Sequence, residues 1–251
     1  MNEQKNDRFS GKVAFVTGGS SGIGAAIVKA LDDRGASVAF CGRREERLHE
    51  LGKRLRNPGL PMVVDVRREA DLVDAFGRIR SKLGPVDILI NNAGLGYSSP
   101  LCSGDAELWR EMLEVNVIAL SVASREAVRQ MQAASRDGHI VNISSMAAHR
   151  VPPGSGMYSA SKYAVRALTE ALRMELREQN SMIRIGSVSP GLVETGFAEL
   201  FHKSEAKARE LYGRFQVLRD RDVADAVCYL LEAPAHMQIH DILIRPTQQP
   251  V

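Results

Sequence analysis

Val13-Ala14-Phe15-Val16-Thr17 runs directly into Gly18-Gly19-Ser20-Ser21-Gly22-Ile23-Gly24, and a helical pattern opens near Ala25. An apolar, β-branched run of this kind reads as a buried strand. Glycines let backbone amides come close to a bound pyrophosphate, and the positive end of the following helix favours negative charge there. The spacing is G-x-x-x-G-x-G, and the strand before it and helix after it set it apart from an ordinary tight turn. Residues 18–22 also fit the G-x-S-x-G of a nucleophilic serine elbow. Position argues against that reading, because such an elbow borrows an oxyanion amide from a loop on an earlier strand, and here only about a dozen residues precede the glycines.

Outward from this turn, short β-branched runs alternate with longer amphipathic stretches. Strands are expected at residues 13–17, 37–41, 61–64, 87–91, 139–144, 183–188 and 241–244. The first four begin 24, 24 and 26 residues apart, the length of a strand–helix–strand crossover. That alternation predicts an α/β fold, a doubly wound Rossmann-type parallel sheet with helices on both faces. One long helix is expected from Asp105 to about Ser135, with Leu108, Met112, Val115, Ala119 and Val122 at helical spacing. A second is expected from Tyr158 to about Gln179, with Val165, Leu168, Leu172 and Leu176 on one stripe. No linker or repeat divides the chain, so residues 1–251 are expected to form one domain. Residues 192–215 are expected to include a substrate lid, although their charged part, 197–215, also suits a solvated surface helix.

Composition narrows the function. The chain has 251 residues, 44% apolar and 25% charged, which is ordinary for a globular protein and excludes disordered, collagen-like and disulfide-scaffold classes. A net charge of +3, evenly spread, gives no sign of a nucleic-acid partner. No apolar run approaches the ~20 residues that cross a bilayer, so no membrane partner is expected. The polar amino-terminal stretch shows no secretory leader. Cys41, Cys102 and Cys228 are widely spaced and odd in number, which reads as free thiols in a reducing cytoplasm. His236 and His240 have H-x-x-x-H spacing, but Pro234 and the β-like residues that follow argue against a helix there. No metal is expected.

Two constellations carry chemistry. The second strand ends at Cys41-Gly42-Arg43-Arg44, with no carboxylate to accept from a ribose 2′-hydroxyl. Arg43 could instead pair a 2′-phosphate, which favours NADP over NAD. Further on, Tyr158 and Lys162 stand at i and i+4 on one helix face, and Ser145 lies 13 residues before Tyr158. A tyrosine that shuttles protons near neutrality must have its pKa lowered from about 10 by ~2–3 units, roughly 3–4 kcal/mol. A nearby lysine cation and an oxidised nicotinamide have the sign to do this. The Ser145 hydroxyl could donate to a substrate oxygen as charge develops on it. Tyr158 would then be general acid for reduction and general base for oxidation.

With these residues in place, the chain resembles the short-chain dehydrogenase/reductase family over nearly its whole length. Residues 17–24 resemble the cofactor turn, Asp65-Val66 the pair that contacts adenine, and Asn91-Asn92-Ala93-Gly94 the segment after the fourth strand. Asn116 resembles the helix asparagine that holds a water in a proton relay. Ser145, Tyr158 and Lys162 fall on the catalytic serine, tyrosine and lysine, and Pro190-Gly191 with Thr195 on the turn that closes over the nicotinamide. The resemblance implies sheet order 3-2-1-4-5-6-7 and NADP(H) bound by Gly18, Ser20, Ser21, Gly22, Ile23, Gly24, Arg43, Asp65, Val66, Asn92, Ala93, Gly94, Tyr158, Lys162, Pro190, Gly191, Val193 and Thr195. It implies a small alcohol or carbonyl substrate bound by Tyr97, Ser145, Met146, Tyr158 and Leu192, and a homo-oligomer, tetramer or dimer. Residues 233–247 resemble an NADP-linked branch that includes serine-type, clavulanate-type and animal 17β-hydroxysteroid or farnesol-type dehydrogenases. A non-catalytic NADP(H) sensor or scaffold is the alternative, and an epimerase or dehydratase on the same fold a third reading.

Overall fold

The computed structural model describes residues 7–250; residues 1–6 and 251 lie outside the described residues, and with them half of the amino-terminal stretch read above for a leader. Seven strands form one parallel sheet, β1 (Val13–Val16), β2 (Ser37–Gly42), β3 (Gly59–Val63), β4 (Ile88–Asn91), β5 (His139–Ile143), β6 (Arg184–Pro190) and β7 (Asp241–Ile244). Their order is 3-2-1-4-5-6-7, as expected. The crossovers carry α1 (Gly22–Asp32), α2 (Glu45–Gly52), α3 (Glu69–Lys82), α4 (Ala106–Leu113), α5 (Ala119–Ala133), α6 (Gly156–Glu178), α7 (Phe197–His202), α8 (Glu205–Gly213) and α9 (Asp220–Glu232).

The strands are apolar on both faces because both faces are covered. Ala14 and Val16 point into one core with Ile27, Val28 and Leu31 of α1 and Val223, Val227 and Leu230 of α9. Their neighbours Val13 and Phe15 point into the other, with Leu72, Phe76 and Ile79 of α3 and Ala123 and Ala127 of α5. This is period-two alternation with no polar side. Phe15 meets Phe76 edge-on, ring centroids 5.1 Å apart. Strand order reverses at β1, which pairs with β2 on one side and β4 on the other. A crevice therefore opens beyond the carboxyl ends of these strands.

Several boundaries differ from the sequence reading: β3 begins at Gly59, β6 runs on to Pro190, and helices α1 and α6 start earlier, at Gly22, whose φ is +52°, and at Gly156. The helix expected over 105–135 is interrupted by a π-helical turn, Glu114–Ile118, in which Ala119 N donates to Glu114 O, five residues back. Apolar spacing does not register such an insertion, which is a common device at functional positions. Among the described residues, no helix is long and apolar enough to cross a membrane.

At the opposite, amino-terminal edge of the sheet, Asp87 is buried and accepts from Val13 N at 2.8 Å and from Arg136 at 2.6 and 2.7 Å. Its loss would leave a strand amide and a guanidinium without their acceptor. Asp87→Ala is expected to cost about 3–5 kcal/mol in urea unfolding; a change below about 1 kcal/mol would show that Asp87 does not anchor this edge.

Candidate functional site

The glycine turn is fastened to the loop after β4. Asn92 Nδ2 donates to Thr17 O at 2.9 Å and Gly18 O at 3.1 Å, while Thr17 Oγ1 accepts from the amides of Asn92 and Ala93. Glycine is required by space: a Cβ on Gly24 would lie 2.3 Å from Gly18 O, and one on Gly18, at φ +67°, 2.9 Å from Ala93 Cα. Ser21 precedes α1 without capping it, leaving the first-turn amides without a side-chain acceptor. Ile23 packs partly on the core of that face. This uncapped helix start, floored by glycine, fits a pyrophosphate.

Two arginines, Arg43 and Arg44, follow β2. Arg44 Nη2 donates to Ser20 Oγ at 3.1 Å and Ser21 Oγ at 2.5 Å, so it stands over the glycine turn. Arg43 adds positive charge near Asp65 and Tyr97, although burial and the bond to Glu111 still push the Tyr97 phenol up. The sequence reading singled out Arg43 alone. Arg44 was missed because two adjacent arginines cannot be ranked without knowing their directions. The Asp65 carboxylate is held below its usual pKa first by its hydrogen bonds to Arg67. Arg67 also reaches Glu111, which accepts from Tyr97 OH at 2.8 Å. Val66 lines a cavity of about 10 Å³ with Thr17, Asn91, Ala93, Val115, Ala119 and Leu120.

The π turn places Asn116 in the interior. Its Nδ2 donates to Leu95 O at 2.8 Å and Ser161 Oγ at 2.9 Å, and its Oδ1 accepts from Leu95 N at 2.9 Å. Both amide protons therefore go to protein atoms, and the residue joins the loop after β4 to α6. Ser145 follows β5, caps the 3₁₀ turn Met146–Ala148, and hydrogen-bonds the Tyr158 phenol. Ser144 is buried with its hydroxyl unpaired. Lys162 is buried, donates to Ile143 O at 3.0 Å, and has its Nζ 5.9 Å from the Tyr158 ring centroid. A Cβ on Gly94 would lie 3.4 Å from Asn116 Oδ1 and 3.6 Å from Lys162 Nζ. Asn116 and Lys162 thus lie against Gly94, in the very loop that Asn92 ties to the glycine turn, and Tyr158 stands one helical turn from Lys162.

The protonation balance departs from expectation. Burial pushes the Tyr158 phenol up to about 12, opposed only by the Ser145 hydrogen bond, and pushes the Lys162 ammonium down to about 8. Lys162 is not among the causes of the phenol's shift, whose direction is set by desolvation. Part of that cover comes from α7. Phe197 and Phe201 meet the Tyr158 ring at centroid distances of 5.3 and 5.9 Å. The lid expected over 192–215 is two short helices, joined at Lys203 in left-handed conformation, and Phe201 was missed although it follows Phe197 at i+4.

The turn after β6 completes the cleft. Gly191 N donates to Ile244 O at 2.7 Å and Leu192 N to Gln249 Oε1 at 2.9 Å. Pro190 ends β6, Val193 is buried and bridges to Leu218, and Thr195 stands over Gly22, its Cγ2 3.2 Å from where a Cβ would be. Tyr212 OH donates to Thr195 O. Gln249 gave no local signal, since its partner lies 57 residues earlier. Met146 and Leu192 are half-buried beside Ser145 and Gly191. His236 lies on a turn and His240 on extended chain, and no group of three or more metal-ligating side chains occurs among the described residues. Cys41, Cys102 and Cys228 are free thiols.

Known proteins share this arrangement of strands and helices. The short chain dehydrogenase family description matches residues 12–206. Bovine dehydrogenase/reductase SDR family member 11 is 46% identical over 252 aligned positions, covering 97% of this chain and 99% of that protein. Farnesol dehydrogenase of Aedes aegypti is 40% identical, covering 96% and 98% respectively. The closed form of serine dehydrogenase complexed with NADP+ superposes with a TM-score of 0.90 at 31% identity, covering 95% of this chain and 96% of that one. An alcohol dehydrogenase from Thermococcus sibiricus, complexed with 5-hydroxy-NADP, superposes at 0.82 with 26% identity. The family match and these near full-length identities place this chain in the short-chain dehydrogenase/reductase family.

Proposed function

We propose that this protein is an NADP(H)-dependent oxidoreductase that interconverts a secondary alcohol and its ketone, or an aldehyde or 3-hydroxy acid, with Tyr158 as general acid and base. The observation that carries this reading is the closeness of Lys162 Nζ to the Gly94 backbone, in a loop bonded through Asn92 to Thr17 and Gly18. Proton-transfer groups and glycine turn therefore face one crevice. When bound there, the nicotinamide supplies or accepts the hydride.

Each residue then has a task. The α1 amides, Gly18, Gly22, Gly24, Ser20 and Ser21 would hold the pyrophosphate and its surroundings. Arg44 and Arg43 would pair the 2′-phosphate, with Asp65 and Val66 beside the adenine. Asn92, Ala93 and Gly94 would form the floor, and Pro190, Gly191, Val193 and Thr195 would close over the nicotinamide. Ser145 donates a hydrogen bond to the substrate oxygen while Tyr158 gives or takes the proton there. Lys162 orients the ribose hydroxyls and supplies positive charge beside the phenol. Asn116 is a positioning residue, holding the Leu95 backbone and, through Ser161, the turn of α6 that bears Tyr158 and Lys162. Apolar side chains left exposed on or beside the central helices, such as Ile118, Tyr163 and Met174, support a homo-oligomer.

Tyr158→Phe should lower kcat for carbonyl reduction by at least about 100-fold with NADPH affinity retained. Unchanged turnover would remove the role of the phenol, whereas tight NADPH binding without turnover of any carbonyl compound by the parent would favour a sensor or scaffold. Arg44→Ala and Arg43→Ala should each weaken NADPH binding by roughly 10-fold or more, and NADH binding little; equal losses for both cofactors would contradict the 2′-phosphate assignment.

Burial of Lys162 also predicts a pH dependence. Its folded-state pKa, about 8, lies below the ordinary 10.5, so between these values the unfolded chain binds more protons and stability from this group rises with pH. Lys162→Met should therefore be more stable than the parent at pH 7, by up to roughly 3 kcal/mol, and the gap should shrink toward pH 10. A gap that is independent of pH in urea titrations would show that the ammonium is not desolvated.

A further inference from the structure

We propose that Phe197 and Phe201 form an aromatic shelf that makes the site select neutral, aryl-bearing or similarly apolar carbonyl compounds over carboxylate-bearing ones. This inference deepens, and rests on, the oxidoreductase reading of the same site.

The shelf is built rather than incidental. The two rings stand at i and i+4 on α7, stack at 28° with centroids 5.9 Å apart, and both touch Tyr158. The end of the helix is fastened by Ser98 N, which donates to Phe201 O at 2.9 Å. The convergence of three rings depends on Gly96, where a Cβ would lie 2.8 Å from Phe197 Cζ, 2.8 Å from Tyr158 Cδ2 and 3.0 Å from Phe201 Cδ2. On its other side Tyr158 packs in a cluster with Leu95, Met112, Trp109 and Met157. The phenol is thus flanked by aromatic and aliphatic surface.

Charge is arranged against an anion. Ring faces carry negative quadrupole density, and a desolvated carboxylate needs a dedicated partner. Arg67 is occupied by Asp65 and Glu111. Lys203, at the outer end of α7, has its ammonium over the Tyr97 ring at 5.8 Å, and Glu199 and Glu205 line the same outer groove. Arg150 is exposed after the Met146–Ala148 turn. Lys162 is the buried cation, and its ammonium is bonded to Ile143 O. An aryl group gains contact on this shelf, whereas a carboxylate finds no free buried cation among the described residues named here.

The test compares methyl benzoylformate, benzoylformate and methyl pyruvate with the full-length protein and NADPH. The neutral aryl ester should exceed both the aryl acid and the small ester in kcat/KM by at least about 10-fold. Phe197→Leu with Phe201→Leu, which keeps apolar volume without ring faces, should bring the aryl-to-methyl ratio to within about 3-fold of unity, with NADPH affinity unchanged. Gly96→Ala, which prevents the rings from meeting, should lower the same ratio. Equal or better turnover of benzoylformate, or a ratio that survives the double substitution, would overturn the shelf while leaving the Tyr158 reading intact. If no compound turns over, that reading fails, and calorimetric binding of the three compounds to the NADPH-loaded protein decides the shelf. Tighter binding of the aryl ester, lost in the double variant, supports it; equal binding of all three overturns it.

Discussion

A half-buried phenol and a buried ammonium share one helix face, and the rest of the site is organised around that constraint. Lys162 is buried where α6 meets the end of β5, and its ammonium donates a hydrogen bond to Ile143 O. Tyr158 is covered because α7 lays two phenylalanines against its ring. Each charged form is disfavoured, so the phenol holds its proton at neutral pH and the lysine remains the nearby cation. A proton-loaded phenol is the form that carbonyl reduction uses. Alcohol oxidation needs the phenolate, which requires extra positive charge in the cleft to offset the burial.

Sheet topology converts this local arrangement into a site. The order reversal at β1 leaves a crevice beyond the strand ends, and Asn92 joins its two walls through Thr17 and Gly18. Asn116 performs the same joining one layer away, and the π turn is what turns its amide inward to both Leu95 and Ser161. The carboxyl-terminal segment contributes Gln249 to the turn after β6. The parts that would hold a dinucleotide and the parts that would move a proton are therefore bonded to each other, not merely adjacent.

Much of this was legible from the chain because its signals are local. Strand positions follow from β-branched runs buried on both faces, a parallel sheet from crossover length, and the sheet order from the family resemblance. Tyr158 and Lys162 meet because i and i+4 share a helix face. The unreadable parts are those that depend on direction or distance. Of the adjacent Arg43 and Arg44, it is Arg44 that bonds to the serines of the glycine turn, which no spacing rule reports. The π turn leaves apolar periodicity nearly unchanged. Gln249 and Phe201 act on residues far away in sequence. The burial that raises the Tyr158 phenol was not legible, because proximity of a lysine can be read from spacing, whereas desolvation is a property of everything packed around the pair.

The central claim is that the Tyr158 proton and the hydride move within one assembled cleft. The most direct measurement is a double isotope effect on single-turnover carbonyl reduction, using 4-deuterated NADPH in water and in deuterium oxide. The account predicts that both substitutions slow the same step, the solvent effect being lost in Tyr158→Phe. A full hydride isotope effect with no solvent effect in the parent would contradict it.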